Sequence, residues 1–137
     1  MKNKIKILGE KFRCAIIECN KDQLPITLKN FPKGSCGDAS LLLGRYLNEN
    51  EVYPIYYISG EKMIYYENGF KRQTHAWLEF NDLIIDITAY QFDEIDDSLI
   101  VFEDEKWHSQ FEVRNTDIVD YKNYNVNTIK ELNNAYK

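Results

Sequence analysis

The sequence contains few cysteines, which cross-link a chain, and few prolines and glycines, which interrupt helices and strands. Its 137 residues include only three cysteines, three prolines and six glycines. Cys14, Cys19 and Cys36 are odd in number and form no Cys-x-x-Cys pair, which argues against a disulfide framework and against a structural zinc site. Unpaired thiols of this kind are expected in a reducing cytoplasm, or in a protein delivered from one cytoplasm to another.

The sequence also lacks an excess of positive charge and a long apolar segment. Lys and Arg number 17 against 22 Asp and Glu, a net charge of -5, so the chain offers no overall basic field for nucleic acid or for an anionic membrane. No apolar run approaches the roughly 20 residues that cross a bilayer, and the basic start of the chain leads into no apolar stretch of signal-peptide length. We therefore expect neither nucleic acid nor membrane as a partner.

The overall composition is that of a folded protein. Hydrophobic residues make up 44% of the chain and charged residues 28%, which is typical of a globular protein rather than a disordered one. Repeats, low-complexity tracts and Pro/Gly/Ser-rich linkers are missing. We predict that residues 1–137 form a single domain.

Helices are predicted in the first third of the chain. Residues 5–19 place apolar side chains at helical spacing, which predicts an amphipathic helix with Cys14 and Cys19 in or near the core. A second helix, apolar on almost every side and therefore buried, is predicted to begin after Gly34-Ser35 and to end at the polar run Asn48-Glu49-Asn50.

Strands are predicted from residue 52 onward. Four segments, residues 52–58, 63–66, 74–80 and 83–88, are rich in β-branched and aromatic residues. Turns are predicted at Ser59-Gly60, Asn68-Gly69 and Asn81-Asp82, which gives an antiparallel meander. Residues 99–102 are predicted to be a further strand or a sheet edge, and residues 126–136 a short polar helix. The fold class is α+β, with N-terminal helices packed on an antiparallel sheet.

The hairpin at Asn81-Asp82 indicates which side chains share a face. The predicted pairs are Phe80 with Leu83, Leu78 with Ile85, and Ala76 with Ile87. This wholly apolar face is predicted to be the core side. The opposite face carries His75, Trp77 and Asp86. In this register the carboxylate is diagonal to the imidazole, within reach of a hydrogen bond from Nδ1–H of His75.

Cys36, in Gly34-Ser35-Cys36-Gly37, lies where the second helix is predicted to begin. The positive end of the helix dipole and the unpaired N–H groups of the first turn favour a thiolate there. The flanking glycines let a substrate approach the backbone, whose N–H groups can form part of an oxyanion hole. We predict that Cys36 is a nucleophile, that a neutral His75 is its base and that Asp86 orients the base.

The order of these motifs resembles the transglutaminase-like superfamily, which shares its site with papain-type proteases. A cysteine begins a helix, His75-Ala76-Trp77-Leu78-Glu79 opens a strand, and Asp86-Ile87-Thr88 lies on the next strand. The resemblance covers about residues 31–92. It implies a cysteine-dependent amide hydrolase or acyltransferase, of the peptidase, protein deamidase or transglutaminase type. Such an enzyme forms a thioester with a protein or peptide substrate and requires no metal or organic cofactor.

The chain also departs from the family pattern. Many members have Trp directly after the nucleophile and Pro after the Asp, whereas this chain has Gly37 and Ile87. Papain-type enzymes place a Gln a few residues before the cysteine as an oxyanion donor; here that place is taken by Asn30, with Gln23 further back. The candidate oxyanion or substrate-contacting residues are Asn30, Gln23, Gly37 and Trp77, the last either shielding the histidine–aspartate bond from water or simply packing.

Two other functions remain open from the sequence. One is a catalytically silent module that keeps the same fold and binds proteins through its Tyr-rich sheet. The other is a metal site of Cys36, His75 and Asp86, which are permissible zinc ligands but lack the closely spaced ligand pairs or additional histidines usual at such sites. The second histidine, His108, is expected to be a solvated surface residue.

Overall fold

The computed structural model of the protein describes residues 1–103 and 106–119, and within them two helices pack on a five-stranded antiparallel sheet. The predicted α+β class is therefore confirmed. The helices are α1 (Lys2–Glu18) and α2 (Cys36–Glu49), and the strands are β1 (Tyr56–Tyr66), β2 (Gly69–Phe80), β3 (Leu83–Asp86), β4 (Ile100–Phe102) and β5 (Glu112–Ile118). The helix predicted over residues 126–136 lies outside the described residues. None of the described helices has the length and apolar character needed to cross a membrane.

Both helices form where the apolar spacing predicted them. In α1 the buried positions recur every three or four residues, and Phe12 packs against Tyr46 of α2 with ring centroids 5.7 Å apart. Cys14 and Cys19 are only partly buried, and Cys19 packs against the main core. In α2 the fully buried side chains include Leu43 and Leu47, which face the sheet side of the main core.

The sheet has the strand order β4-β3-β2-β1-β5. Strands β1 to β4 form an antiparallel meander, in which the strands predicted at residues 52–58 and 63–66 are a single strand, β1. Strand β4 confirms the strand predicted at residues 99–102. Strand β5 was not predicted. It returns to the other edge and pairs with β1, and all seven of its residues are exposed. An edge strand of this kind carries little hydrophobic periodicity, because its position depends on backbone pairing with a distant partner.

The β2–β3 hairpin has the predicted register. Phe80 pairs with Leu83 and Leu78 with Ile85, around a two-residue turn in which Asn81 has a φ of 51°. The predicted pair of Ala76 with Ile87 lies beyond the end of the ladder. The apolar face of the hairpin lies in the main core, as predicted. Its other face is covered as well, by a second cluster formed by Ile58, Trp77, Ile84 and Phe111, with Trp107 packed against it.

Two predicted features of the β1 region are wrong in detail. Ser59-Gly60 is not a turn, because β1 runs straight through it and the pairing with β5 shifts register there. A Cβ at Gly60 would lie 2.9 Å from the carbonyl oxygen of Glu112, so the glycine marks the close approach of a neighbouring strand. The turn predicted at Asn68-Gly69 falls one residue earlier, since Tyr66 pairs with Gly69. Residues 52–55 precede the strand.

Candidate active site

Cys36 is the first residue of α2, as the sequence predicted. The preceding residue, Ser35, makes no side-chain cap; its Oγ instead donates to the carbonyl oxygen of Pro32 at 3.1 Å. The Ser35 hydroxyl therefore does not cap the N–H groups of the first helical turn, which lie at the positive end of the helix dipole. Cys36 itself is partly exposed. Its thiol sits at the border between core and solvent.

His75 and Asp86 form a buried hydrogen-bonded pair. Nε2 of His75 lies 2.7 Å from Oδ2 of Asp86, and both residues are 1% exposed. The predicted neighbours are thus brought together, but the prediction that Nδ1 makes this bond is wrong. The ring is turned so that Nε2 meets the carboxylate, while Nδ1 is buried and has no hydrogen-bond partner among the described residues.

The side chain of Cys36 acts on His75 as well. Burial lowers the pKa of His75, but the negative charge and hydrogen bond of Asp86 outweigh it, and the influence of the Cys36 side chain adds to them, so that the pKa is raised to about 9.

The carboxylate of Asp86 is saturated with donors. Oδ1 accepts from the backbone N–H of Thr88 at 2.9 Å, from its hydroxyl at 3.4 Å and from the N–H of Ala89 at 3.0 Å. Burial raises the pKa of Asp86, but the charge of His75 and the hydrogen bonds from His108 and His75 hold it well below its usual range. The carboxylate therefore stays ionised and can only accept, so each imidazole donates to it through Nε2–H.

The expectation that His108 is a solvated surface residue is wrong. His108 is 4% exposed, and its Nε2 lies 2.8 Å from the same Oδ2 that binds His75. It begins the short 3-10 helix His108–Gln110, which leads into β5 and folds against the second face of the sheet. The one signal in the sequence is the pair of aromatic residues, Trp107 and Phe111, that flank it.

Aromatic rings enclose His75. Trp77 is nearly parallel to the imidazole, with centroids 5.9 Å apart and an interplanar angle of 29°. Phe92, Trp107 and Phe111 complete the enclosure at centroid distances of 5.1, 5.5 and 5.7 Å. Trp77 is 2% exposed, so it both packs and shields the histidine–aspartate bond. Exclusion of water strengthens the attraction within that pair.

The candidate oxyanion residues separate into two groups. Gly37 and Trp77 belong to the site. Gln23 and Asn30 are exposed residues in the irregular segment between the helices, and among the described residues neither side chain has a hydrogen bond to Cys36. Near Gly37 the structure instead places the hydroxyl of Tyr57, 3.4 Å from the position that a Cβ on Gly37 would take. No sequence motif distinguishes Tyr57 from the other tyrosines of the sheet.

The residues that could hold a metal ion differ from the predicted set. Ligand atoms of His75, Asp86 and His108 all lie within 4.8 Å of one another, and Cys36 does not belong to this group. The nitrogen–oxygen distances of 2.7 and 2.8 Å are those of charge-assisted hydrogen bonds. A metal ion at this place would have to displace both of those bonds.

Comparisons with known proteins do not extend this description. No protein-family model matches the chain, and neither a curated protein nor a solved structure matches it.

Proposed function

We propose that the protein is a cysteine-dependent amide hydrolase or acyltransferase with a transglutaminase-like, papain-related site. Cys36 is the nucleophile, His75 exchanges protons with the substrate, and Asp86 orients and charges the imidazole. The observation that carries the proposal is the state of His75: its Nε2 is bound to a buried carboxylate, its buried Nδ1 is unpaired, and the side chain of Cys36 helps to raise its pKa.

The raised pKa of His75 changes the order of proton movement from the one expected for a neutral base. With a pKa of about 9, the imidazole keeps both protons near neutral pH. The proposed resting state is therefore a thiolate at Cys36 beside an imidazolium at His75, a pairing favoured by the helix N-terminus and by the positive ring.

The reaction follows from that resting state. The thiolate attacks the carbonyl carbon of an amide, a carbon–sulfur bond forms, and the carbonyl π electrons move to the oxygen. The tetrahedral intermediate collapses as His75 delivers its Nδ1 proton to the departing nitrogen, which leaves a thioester and releases an amine or ammonia. Water or a second amine, deprotonated by the now neutral His75, then cleaves the thioester. A peptidase, a deamidase and a transglutaminase differ in which amide enters and in what resolves the thioester.

Selective alkylation of the three thiols tests the nucleophile. We expect iodoacetamide at about pH 6 to modify Cys36 much faster than Cys14, because burial, followed by a hydrogen bond to Glu10, raises the pKa of the Cys14 thiol. Peptide mass spectrometry after timed quenching gives the rate at each cysteine. Cys14 thus serves as a slow reference within the same molecule.

Variants of His75 link that reactivity to the proposed pair. We expect His75→Ala and His75→Gln to slow alkylation of Cys36 at pH 6 without changing the rate at Cys14. Circular dichroism and thermal melting establish that each variant is folded. A rate at Cys36 in the unmodified protein that rises only above about pH 8, as for an ordinary thiol, contradicts the proposal.

The alternative is a catalytically silent module that keeps this fold and binds proteins. Two observations favour it: Gln23 and Asn30 make no hydrogen bond to Cys36 within the described residues, and the tip of the β1–β2 hairpin exposes Tyr65, Tyr66 and Phe70 by 76%, 60% and 63%. An unreactive Cys36 in the alkylation experiment supports this alternative over the enzyme.

A further inference from the structure

The proposed reaction needs a donor for the negative oxygen of the tetrahedral intermediate. One oxyanion-hole donor typically contributes about 10²–10³ in rate. Backbone N–H groups in the first turn of α2 can supply part of this function, but the amide side chains suggested by the sequence are exposed elsewhere on the surface. If the proposed function holds, a further side-chain donor to the oxyanion is needed.

Tyr57 reaches the start of α2 from the sheet. It pairs with Leu78 on β2 and with Asp117 on β5, and its ring packs at the edge of the main core, on the face that α2 covers. Its hydroxyl ends 3.4 Å from the place where a side chain on Gly37 would begin. Since Gly37 directly follows Cys36, the phenol lies beside the backbone of the proposed nucleophile.

The hydroxyl of Tyr57 is available to a ligand. Within residues 1–103 and 106–119 no hydrogen bond uses it, although the residue is half-buried. The absence of a side chain on Gly37 leaves open the space in front of it. Burial, and then the negative charges of Cys36 and Asp38, raise the pKa of Tyr57. The phenol therefore keeps its proton near neutral pH and can act as a donor.

We propose that the Tyr57 hydroxyl donates a hydrogen bond to the oxyanion that forms when Cys36 attacks a carbonyl carbon. The phenol keeps its proton throughout the reaction. Its hydrogen bond stabilises the negative oxygen of the tetrahedral intermediate, and this hydrogen bond weakens when the leaving group departs with the electrons of its bond to carbon and the carbonyl forms again. Backbone N–H groups at the start of α2 are the second donor. Tyr57 takes the role that a glutamine side chain has in papain-type enzymes.

Two probes separate this role from the reactivity of the thiol. Alkylation by iodoacetamide displaces iodide at a saturated carbon and forms no oxyanion, whereas acylation by p-nitrophenyl acetate passes through a tetrahedral oxyanion before p-nitrophenolate leaves. We expect Tyr57→Phe to slow acylation of Cys36 by about 10²-fold and to leave its alkylation rate unchanged. The burst of p-nitrophenolate and the acetyl group found on Cys36 by mass spectrometry measure the acylation.

The neighbouring residue provides a matched control. Tyr56 is 40% exposed and, because side chains alternate along a strand, it points to the other face of the sheet. Tyr56→Phe removes the same atom from the adjacent position, and we expect it to change neither rate. Phenylalanine keeps the ring of Tyr57 in the core margin, and thermal melting of both variants checks that the fold is intact.

The outcomes distinguish this inference from the proposed function. Ordinary alkylation kinetics at Cys36 refute the proposed function itself. Rapid alkylation together with an acylation rate that Tyr57→Phe does not change, or with no acylation of the unmodified protein, overturns the role of Tyr57 and leaves the nucleophile in place. Equal slowing of both reactions also overturns it, because a donor to the oxyanion acts on acylation alone.

Discussion

Replacing Asp86 with asparagine tests how much of the site depends on one buried charge. The substitution keeps the shape of the side chain but removes the negative charge that two imidazoles share. Burial of His75 remains, and burial lowers the pKa of an imidazole. We therefore expect the pKa of His75 to fall from about 9 to below its ordinary value of 6.5.

The magnitude follows from the linkage between pKa and stability. A pKa raised from 6.5 to about 9 in the folded state corresponds to about 3 kcal/mol of stability, since each factor of ten in proton affinity is worth about 1.4 kcal/mol. A pKa raised on folding stabilises the protein fully below the unfolded-state value and loses that effect as the pH rises through the folded-state value. The contribution of His75 is therefore present at about pH 6 and nearly gone above pH 9.

Urea denaturation across this pH range measures the effect. The free energy of unfolding of the unmodified protein, minus that of Asp86→Asn, is expected to decrease by about 3 kcal/mol between about pH 6 and pH 9.5. Taking the difference cancels groups that titrate alike in both proteins because they lie away from His75. Asp82→Asn, which removes an exposed turn carboxylate, is the matched control and is expected to show no such pH dependence relative to the unmodified protein.

NMR titration supplies an independent check, because the chain contains only two histidines. A titration near 6.5 for the His75 imidazole, assigned by its loss from the spectrum of His75→Gln, or a stability difference that stays constant across the range, would refute the reasoning. Either result would mean that the carboxylate does not hold a proton on His75.

Further predictions concern the second histidine, packing and metal dependence. His108→Gln removes one of the two imidazoles bound to the shared carboxylate and is expected to lower the free energy of unfolding by about 1–3 kcal/mol in urea denaturation; an unchanged value would contradict the role of that bond. Gly60→Ala brings a Cβ to 2.9 Å from the carbonyl oxygen of Glu112, and we expect calorimetry to show a loss of about 1–3 kcal/mol. Leu47→Ala, at a fully buried position, is expected to cost about 2–5 kcal/mol, whereas Ile7→Ala, at a position 60% exposed, serves as its near-neutral control. Dialysis against EDTA is expected to leave both the melting temperature and the alkylation rate unchanged, since hydrogen bonds already join the Asp86 carboxylate to Nε2 of both imidazoles; a drop in either would support a metal at that place.

Local patterns predicted a large part of the framework of the site. Strand alternation and the turn at Asn81-Asp82 gave the correct hairpin register, which brings His75 and Asp86 together. The start of the apolar stretch after Gly34-Ser35 predicted Cys36 at a helix N-terminus. These features depend on residues that are close in sequence, so the local order of apolar, polar and turn residues is enough to predict them.

Long-range packing decided what the sequence pattern missed. His108 is 22 residues from Asp86 in the chain and meets it only because the segment before β5 folds onto the second face of the sheet. Gly60 resembled a turn residue in the sequence, but a glycine is needed there because the backbone of Glu112 approaches closely. Glu112 lies on β5, a strand whose sequence has no hydrophobic periodicity, so this contact could not be predicted from the pattern.

The sequence by itself determined the two helices, the hairpin register and the pairing of an imidazole with a carboxylate, because each follows from side-chain periodicity or turn chemistry over a few residues. Only the tertiary structure decided that Nε2 rather than Nδ1 binds Asp86, that a second imidazole shares the carboxylate, and that the phenol of Tyr57 ends beside Gly37. Ring orientation and long-range contacts depend on which distant groups share a small buried volume, and that is fixed only when the helices and the edge strand pack on the sheet.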